Sequence, residues 1–226
     1  MPGLKIACVI PALNEEASVA TVVAGCRAGG LAVYVVDDGS GDATGRVAAE
    51  AGAEVMVHET NLGKGKSLDD GMVRATSDGC DAVVFLDSDG QHDPAALPKF
   101  VAAAEEGADL VLGCREFGEE MPFVRRNTNR FMGWVLSRLA GQKLGDTQSG
   151  YRLVRTDLWP KIRPHSGRFA AESEMLVHAA RAGARIVNVP IPTIYIEGRQ
   201  SRINPIVDTW RFGLLVLRLI FGRRRT

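Results

Sequence analysis

Two aspartates one residue apart, Asp87 and Asp89, end the apolar run in VVFLDSDGQHDP, residues 83–94. Alternate side chains of an extended segment point to the same side, so both carboxylates share one direction. Left alone, each raises the pKa of the other by repulsion. A divalent cation shared with a substrate diphosphate reverses that cost, because the ion is the largest local charge. Mg2+ and Mn2+ take oxygen ligands and commonly use one or two carboxylates together with substrate phosphates. Gln91, two residues on, offers a further oxygen. Aspartates also cap helices, but Asp93 stands directly before Pro94 and fills that role. Asp87, Asp89 and Gln91 therefore read as metal ligands.

Other polar loops accompany this one. Strand-like runs occur at KIACVI, LAVYVV, AEVMVH, AVVFL and ADLVLG, with helix-like stretches at Glu15–Arg27, Ala43–Ala51, Lys66–Thr76 and Ala95–Glu106. Near-continuous apolar strands alternating with helices predict an α/β fold with a mostly parallel sheet covered on both faces. Ligands of such sheets sit beyond the carboxyl ends of the strands. PALNEE, DDGSGDAT, ETNLGKGKS and DSDGQHDP all follow strand-like runs, so all four gather at that edge. Asp37 and Asp38 can accept hydrogen bonds from a ribose or a base N–H, or can serve as turn residues before Gly39.

Two phosphate motifs fail on inspection. Gly65-Lys66-Ser67 has Thr60 where a P-loop needs its first glycine. Gly39-x-Gly41 has Thr44 in place of the third glycine of the dinucleotide fingerprint.

The chain has 226 residues, 24% charged and 46% hydrophobic, with a formal net charge of zero. That is a globular composition without the overall positive field of a nucleic-acid binder. Its four cysteines show neither CxxC nor metal-ligand spacing and read as buried thiols. The N-terminus lacks the pattern of a signal peptide, and no run reaches the ~20 apolar residues of a membrane span. A cytoplasmic protein is the expectation. From about Arg115 the alternation gives way to arginine-bearing helical stretches, then GDTQSGYRLVR, AAESEMLVHAARAG and a strand pair ARIVNVPIPTIYI. One catalytic domain over 1–203 is expected, with a donor half (1–114), an acceptor half (115–203) and an amphipathic basic tail over 204–226.

PALNEE, VVDDGSGD, NLGKGKS, FLDSDGQHDP and DTQSGYR occur in this order across residues 4–200. Together they resemble family 2 glycosyltransferases of the glycosyltransferase A fold, and within them the polyprenyl-phosphate (dolichol-phosphate) mannosyl- and glucosyltransferases. The resemblance implies that Pro11, Ala12, Asn14 and Glu15 line a nucleotide pocket, with Asp37 and Asp38 near the base or ribose. Asn61, Gly63 and Lys64 would close over the nucleoside, and Asp87, Ser88, Asp89 and Gln91 would meet the sugar diphosphate and its Mg2+ or Mn2+. Arg115, Asp146, Gln148, Ser149 and Arg152 would shape the donor sugar and acceptor side. Arg199 and Arg202, in EGRQSRI, would reach phosphate groups.

The implied reaction is inverting transfer of a hexose from a GDP-mannose or UDP-glucose type donor to a polyprenyl phosphate. A hydroxyl acceptor requires a general base, for which Asp146, Glu172 and Glu174 are the candidates. A phosphate acceptor requires cations instead, which Arg125, Arg126, Arg130 and Arg138 can supply unless they only solvate a helix face. The tail WRFGLLVLRLIFGRRR has the composition of an interfacial helix, or of one packed on a second subunit. Many relatives carry transmembrane helices after the catalytic domain, and this chain ends at Thr226. The expectations are a peripheral protein on the cytoplasmic membrane face, one docked to a separate membrane subunit, a homodimer, or an enzyme with a soluble acceptor. A sugar nucleotidyltransferase and a non-catalytic nucleotide-sugar binder are the alternatives.

Overall fold

The computed structural model describes residues 3–115, 123–164, 169–192, 194, 213–214 and 216–217, without the side chains of 123–126 and 169–171. Among the described residues, seven strands form one sheet: β1 (Ile6–Ala12), β2 (Ala32–Asp37), β3 (Glu54–Val57), β4 (Ala82–Phe85), β5 (Leu110–Arg115), β6 (Arg152–Arg155) and β7 (Ile186–Ile191). Their order is β3-β2-β1-β4-β6-β5-β7. β6 runs antiparallel to β4 and β5 between them, and the other pairings are parallel. The mostly parallel sheet expected from the alternation is present, with a reversed strand in its middle.

The helices are α1 (Val19–Ala28), α2 (Thr44–Glu50), α3 (Lys64–Ser77), α4 (Leu97–Glu105), α5 (Phe123–Ala140), α6 (Trp159–Ile162) and α7 (Phe169–Arg181). β1 shows how the layers form. Cys8 and Ile10 point to one face and join Val22 and Val23 of α1 and Phe100 of α4. Ala7 and Val9 point to the other and join Met72 of α3, Ile162 of α6 and Leu176 of α7. Period-two alternation with both faces apolar is what a strand covered by helices on each side requires. α3 lies close to the sheet because Gly71 has no side chain: a β-carbon there would stand 2.2 Å from Val9 Cγ1.

The starts of α1 and α3 differ from the sequence expectation for identifiable reasons. α1 begins at Val19 rather than Glu15, because residues 14–16 hold the loop after β2. α3 begins at Lys64 rather than Lys66, because Gly63 makes the turn at φ 92°, a region that L side chains rarely adopt. Asp93 caps as expected: its Oδ1 accepts the Ala95 N–H at 2.9 Å before the turn Pro94–Ala96 that leads into α4. PTIYI lies largely outside the described residues, as does the tail apart from helical residues 213–214 and 216–217. Among the described residues, no helix is long and apolar enough to cross a membrane.

Candidate active site

The strand order turns back between β1 and β4, and the loops after β1, β2 and β4 meet at that point. Hydrogen bonds stitch the first two together. Asn14, at φ 55°, accepts the Gly41 N–H on Oδ1 at 2.8 Å and donates its own N–H to Ser40 Oγ at 3.0 Å. The Glu15 N–H donates to Thr44 Oγ1 at 2.8 Å. Ser18 Oγ lies 3.0 Å from Glu15 Oε2 and 2.8 Å from the Ser88 carbonyl, so the third loop joins the same network.

The paired aspartates after β2 divide their work. Asp37 Oδ1 accepts the Ser40 N–H at 2.9 Å and shapes the turn itself. Asp38 reaches across to the loop before α3, where Oδ1 accepts the Leu62 N–H at 2.9 Å and Oδ2 the Gly63 N–H at 2.8 Å. His58 Nδ1 also lies 2.7 Å from Asp38 Oδ1, and its Nε2 lies 3.0 Å from Asp70 Oδ2. Among the described residues, three partners occupy a carboxylate with about four lone-pair positions, which leaves room for one further donor. Asn61 is exposed at the rim.

Asp87, just past the end of β4, sits at the centre. Lys64 Nζ lies 2.6 Å from Asp87 Oδ1 and 2.6 Å from Glu172 Oε1 of α7. Burial raises the Asp87 carboxyl, but the neighbouring ammonium more than offsets it and holds the pKa at about 2. Burial pushes the Lys64 ammonium down, and the two carboxylates more than offset that too, leaving it above its ordinary range. Gly150 faces Asp87, and a β-carbon there would stand 2.4 Å from Asp87 Oδ2. Pro11, Lys64, Asp87, Gly150, Arg152 and Glu172 line one small pocket. Asp89 Oδ1 accepts the Gln91 N–H at 3.0 Å within the turn that follows Asp87. Ser88 is buried, and Ala12 closes the end of β1.

The second wall comes from β5 and the loop before β6. Arg115 Nε donates to Asp146 Oδ2 at 2.5 Å, and Asp146 Oδ1 accepts the Gln148 N–H at 3.1 Å. Among the described residues, the buried Nε2 of Gln148 and Oγ1 of Thr147 have no protein hydrogen-bond partner. Ser149 is fully buried, and its Oγ accepts the Tyr151 N–H at 3.3 Å. Arg152 is 2% exposed. Its guanidinium donates to three backbone carbonyls, Ser149 at 2.8 Å, Glu172 at 2.7 Å and Thr147 at 3.1 Å. Glu174 is buried on α7. Beyond Arg115 and Asp146 opens a groove of about 770 Å3, whose lining includes Arg130, Arg138, Lys143 and Trp134. Arg125 and Arg126 lie on α5 with side chains outside the described residues, and Arg199 and Arg202 lie outside them altogether.

Two histidines enter the site without having been singled out by sequence. His58 stands at the end of an apolar run, AEVMVH, where a polar residue signals the strand end as readily as a function. His92 is buried with Nδ1 4.0 Å from Asp87 Oδ2, and burial pushes its imidazole pKa down despite that carboxylate. Asp93, the capping residue beside it, gave no hint of that burial.

The carboxylates of this centre suit a hard divalent cation. Lys64 already places a positive charge against Asp87, and the glycine at 150 keeps the far oxygen clear. Among the described residues, no three His, Cys, Asp or Glu side chains converge as a complete metal cage. The remaining ligands of a cation held here would come from a substrate, as Mg2+ sites commonly arrange.

The family model for glycosyl transferase family 2 matches residues 7–163. The glycosyltransferase AglJ of Haloferax volcanii is 32% identical over 237 residues, covering 100% of this chain and 74% of that protein. The undecaprenyl-phosphate mannosyltransferase of Micrococcus luteus is 29% identical over 231 residues, covering 93% and 95%. Among solved structures, glucosyl-3-phosphoglycerate synthase from Mycobacterium tuberculosis with Mg2+ and UDP superposes at a TM-score of 0.73, with 25% identity over 96% of this chain and 78% of that one. The same enzyme with Mn2+, UDP and phosphoglyceric acid gives 0.69, with 26% identity over the same shares. The sheet with its reversed sixth strand is thus the glycosyltransferase A fold, and the protein is a glycosyltransferase belonging to family 2.

Proposed function

We propose that the protein transfers a hexose from a nucleoside diphosphate sugar to a polyprenyl phosphate, with inversion at the anomeric carbon. The observation that carries this reading is the basic groove that begins at the Arg115–Asp146 pair, against the donor centre. Arg115 is close enough to Asp87 and Glu172 for both carboxylates to act on its charge, so donor and groove meet there. Arg130, Arg138 and Lys143 supply cations along it, and the exposed Trp134 and Phe131 stack with centroids 6.3 Å apart at its edge. An anionic head with an apolar chain matches that sequence of surfaces.

In this reading Asp38 receives a donor N–H or hydroxyl of the nucleoside, and Pro11, Ala12, Asn14 and Glu15 form the pocket wall with Asp37 behind them. Asp87, Asp89 and Gln91 would hold Mg2+ or Mn2+, which when bound offsets the charge on the leaving diphosphate. Gln148 Nε2 faces the sugar, which gives its unpartnered amide a role. An acceptor oxygen attacks the anomeric carbon as the bond to the diphosphate breaks on the opposite face. Both Asp146 and Glu172 are already engaged by cations, Arg115 and Lys64. That favours an acceptor arriving ionised over one that must surrender a proton to either. Arg126, Arg199 and Arg202 are assigned to the acceptor phosphate.

A second reading, transfer to a soluble acceptor, draws on glucosyl-3-phosphoglycerate synthase, whose structure holds phosphoglyceric acid with UDP. One experiment separates them. The full chain is incubated with Mn2+, GDP-mannose or UDP-glucose, and either a polyprenyl phosphate in detergent or 3-phosphoglycerate. An extractable glycolipid is expected. Transfer only to the soluble acid would overturn the lipid acceptor, and transfer to neither, with pyrophosphate released when a nucleoside triphosphate and a sugar 1-phosphate are supplied instead, would overturn the whole reading.

A further inference from the structure

We infer that Lys64 is the counter-ion of the donor-free centre and makes the cation and the nucleoside diphosphate bind together rather than the cation alone. This rests on the metal-dependent donor reading above. The Lys64 ammonium lies 2.6 Å from Asp87 Oδ1 and 2.6 Å from Glu172 Oε1, with the glutamate buried. A cation on the clear Oδ2 of Asp87 stands across one carboxylate from that ammonium and is repelled by it unless the ammonium moves. The displaced ammonium would keep one carboxylate in a partly buried centre, where an uncompensated charge is costly. Its backbone is fixed, since it is the first residue of α3 and the preceding Gly63 N–H is held by Asp38 at 2.8 Å, so only the flexible stem can carry the ammonium away from Asp87.

A diphosphate changes the balance. It brings negative charge of its own, so the ammonium exchanges Asp87 for a phosphate oxygen while Glu172 stays beside it. Cation and diphosphate then bind with positive coupling, and by linkage each tightens the other by the same factor. The loop that carries Lys64 also carries the two N–H groups on Asp38, so nucleoside and cation sites share one short segment.

The test is Mn2+ titration of the full chain, followed by the paramagnetic resonance signal of free Mn2+, with and without UDP or GDP. The wild type should bind Mn2+ weakly alone and about 5- to 150-fold more tightly with the matching diphosphate, the ordinary range of such coupling. Lys64→Met should bind Mn2+ alone about tenfold more tightly than the wild type, and the enhancement by diphosphate should shrink by a similar factor. Lys64→Gln should behave in the same way, with circular dichroism confirming that each variant is folded. A folded variant that binds Mn2+ alone no better than the wild type makes the ammonium a fixed brace and overturns the inference. The donor reading survives that result if the wild type still takes up Mn2+ with UDP or GDP. A wild type that takes up no Mn2+ with any nucleoside diphosphate overturns both.

Discussion

Arg152 is the sharpest place to test whether an arginine in this site meets the substrate or holds the walls that do. It is 2% exposed and donates to the carbonyls of Thr147, Ser149 and Glu172. These acceptors belong to the loop that carries Asp146 and Gln148 and to α7, which carries Glu172. Replacing it by Met removes three charge-assisted bonds and leaves three carbonyls short of donors. At about 1.5–3 kcal/mol for a bond to a charged group, simple addition gives roughly 5–9 kcal/mol. Relief of the guanidinium's desolvation and entry of water reduce that, so a loss of about 3–5 kcal/mol is expected. Lysine keeps the charge but lacks the planar fork, and should recover only part of the loss. Urea unfolding followed by circular dichroism reads this directly: at a slope of about 2–3 kcal/mol per molar urea, the Met midpoint should fall by roughly 1–2.5 M. The companion measurement is the donor KM of Arg152→Lys. A positioning role predicts lower stability together with a weaker kcat. A Met variant within about 1 kcal/mol of the wild type, with donor KM raised in the Lys variant, would refute the reasoning and place the guanidinium on the donor.

Further substitutions probe the packing and the charge balance. Gly71→Ala gains about 1 kcal/mol of helix propensity, but its β-carbon would lie 2.2 Å from Val9 Cγ1. Overpacking of about 1–3 kcal/mol should win, lowering the urea midpoint, and a midpoint at or above the wild type would contradict that close approach. Gly150→Ala drives a β-carbon to 2.4 Å from Asp87 Oδ2, so the thermal shift given by Mn2+ with UDP or GDP, read against the variant's own ligand-free melt, should vanish. An undiminished shift would show that Asp87 does not need that space. Asp69 is buried, and burial raises its carboxyl, but hydrogen bonds from Arg163 and Trp159 outweigh this and hold it below the usual range. A depressed folded pKa contributes stability above the unfolded value of about 3.9 and loses it as pH falls through the folded value. Asp69→Asn should therefore flatten the loss of stability between pH 5 and the acid limit of about pH 2 in urea titrations, and an unchanged slope would remove Asp69 from the acid response.

Much of the fold was legible because burial writes itself into strands. IACVIP, VYVV and VVF are apolar on both faces, and two-sided burial is the signature of a sheet with helices on each side. β6 escaped the reading for the same physical reason. RLVR offers only two apolar residues between arginines, and its position between β4 and β5 comes from pairing that local sequence does not record. The early start of α3 at Lys64 also depends on a backbone angle, because any residue can precede a helix but only glycine takes the turn at 63 easily.

The site divides along a similar line. Carboxylates at strand ends were legible, since the alternation of β1, β2 and β4 places the loop residues at one edge whatever the tertiary detail. What each carboxylate touches was not. Asp37 and Asp38 are adjacent and alike in sequence, yet one closes its own turn and the other holds a loop twenty-five residues away through Gly63. Arg152 and Arg115 are both arginines at sheet ends, yet one is enclosed by carbonyls and the other pairs with Asp146 at the mouth of a groove. The difference is strand direction. β5 delivers Arg115 outward from its carboxyl end, and antiparallel β6 begins at that same edge, so Arg152 enters the sheet where Arg115 leaves it. A residue type limits the chemistry available to a position, and the reversal of one strand decides whether this arginine pairs with a carboxylate at the mouth of a groove or is enclosed by backbone carbonyls.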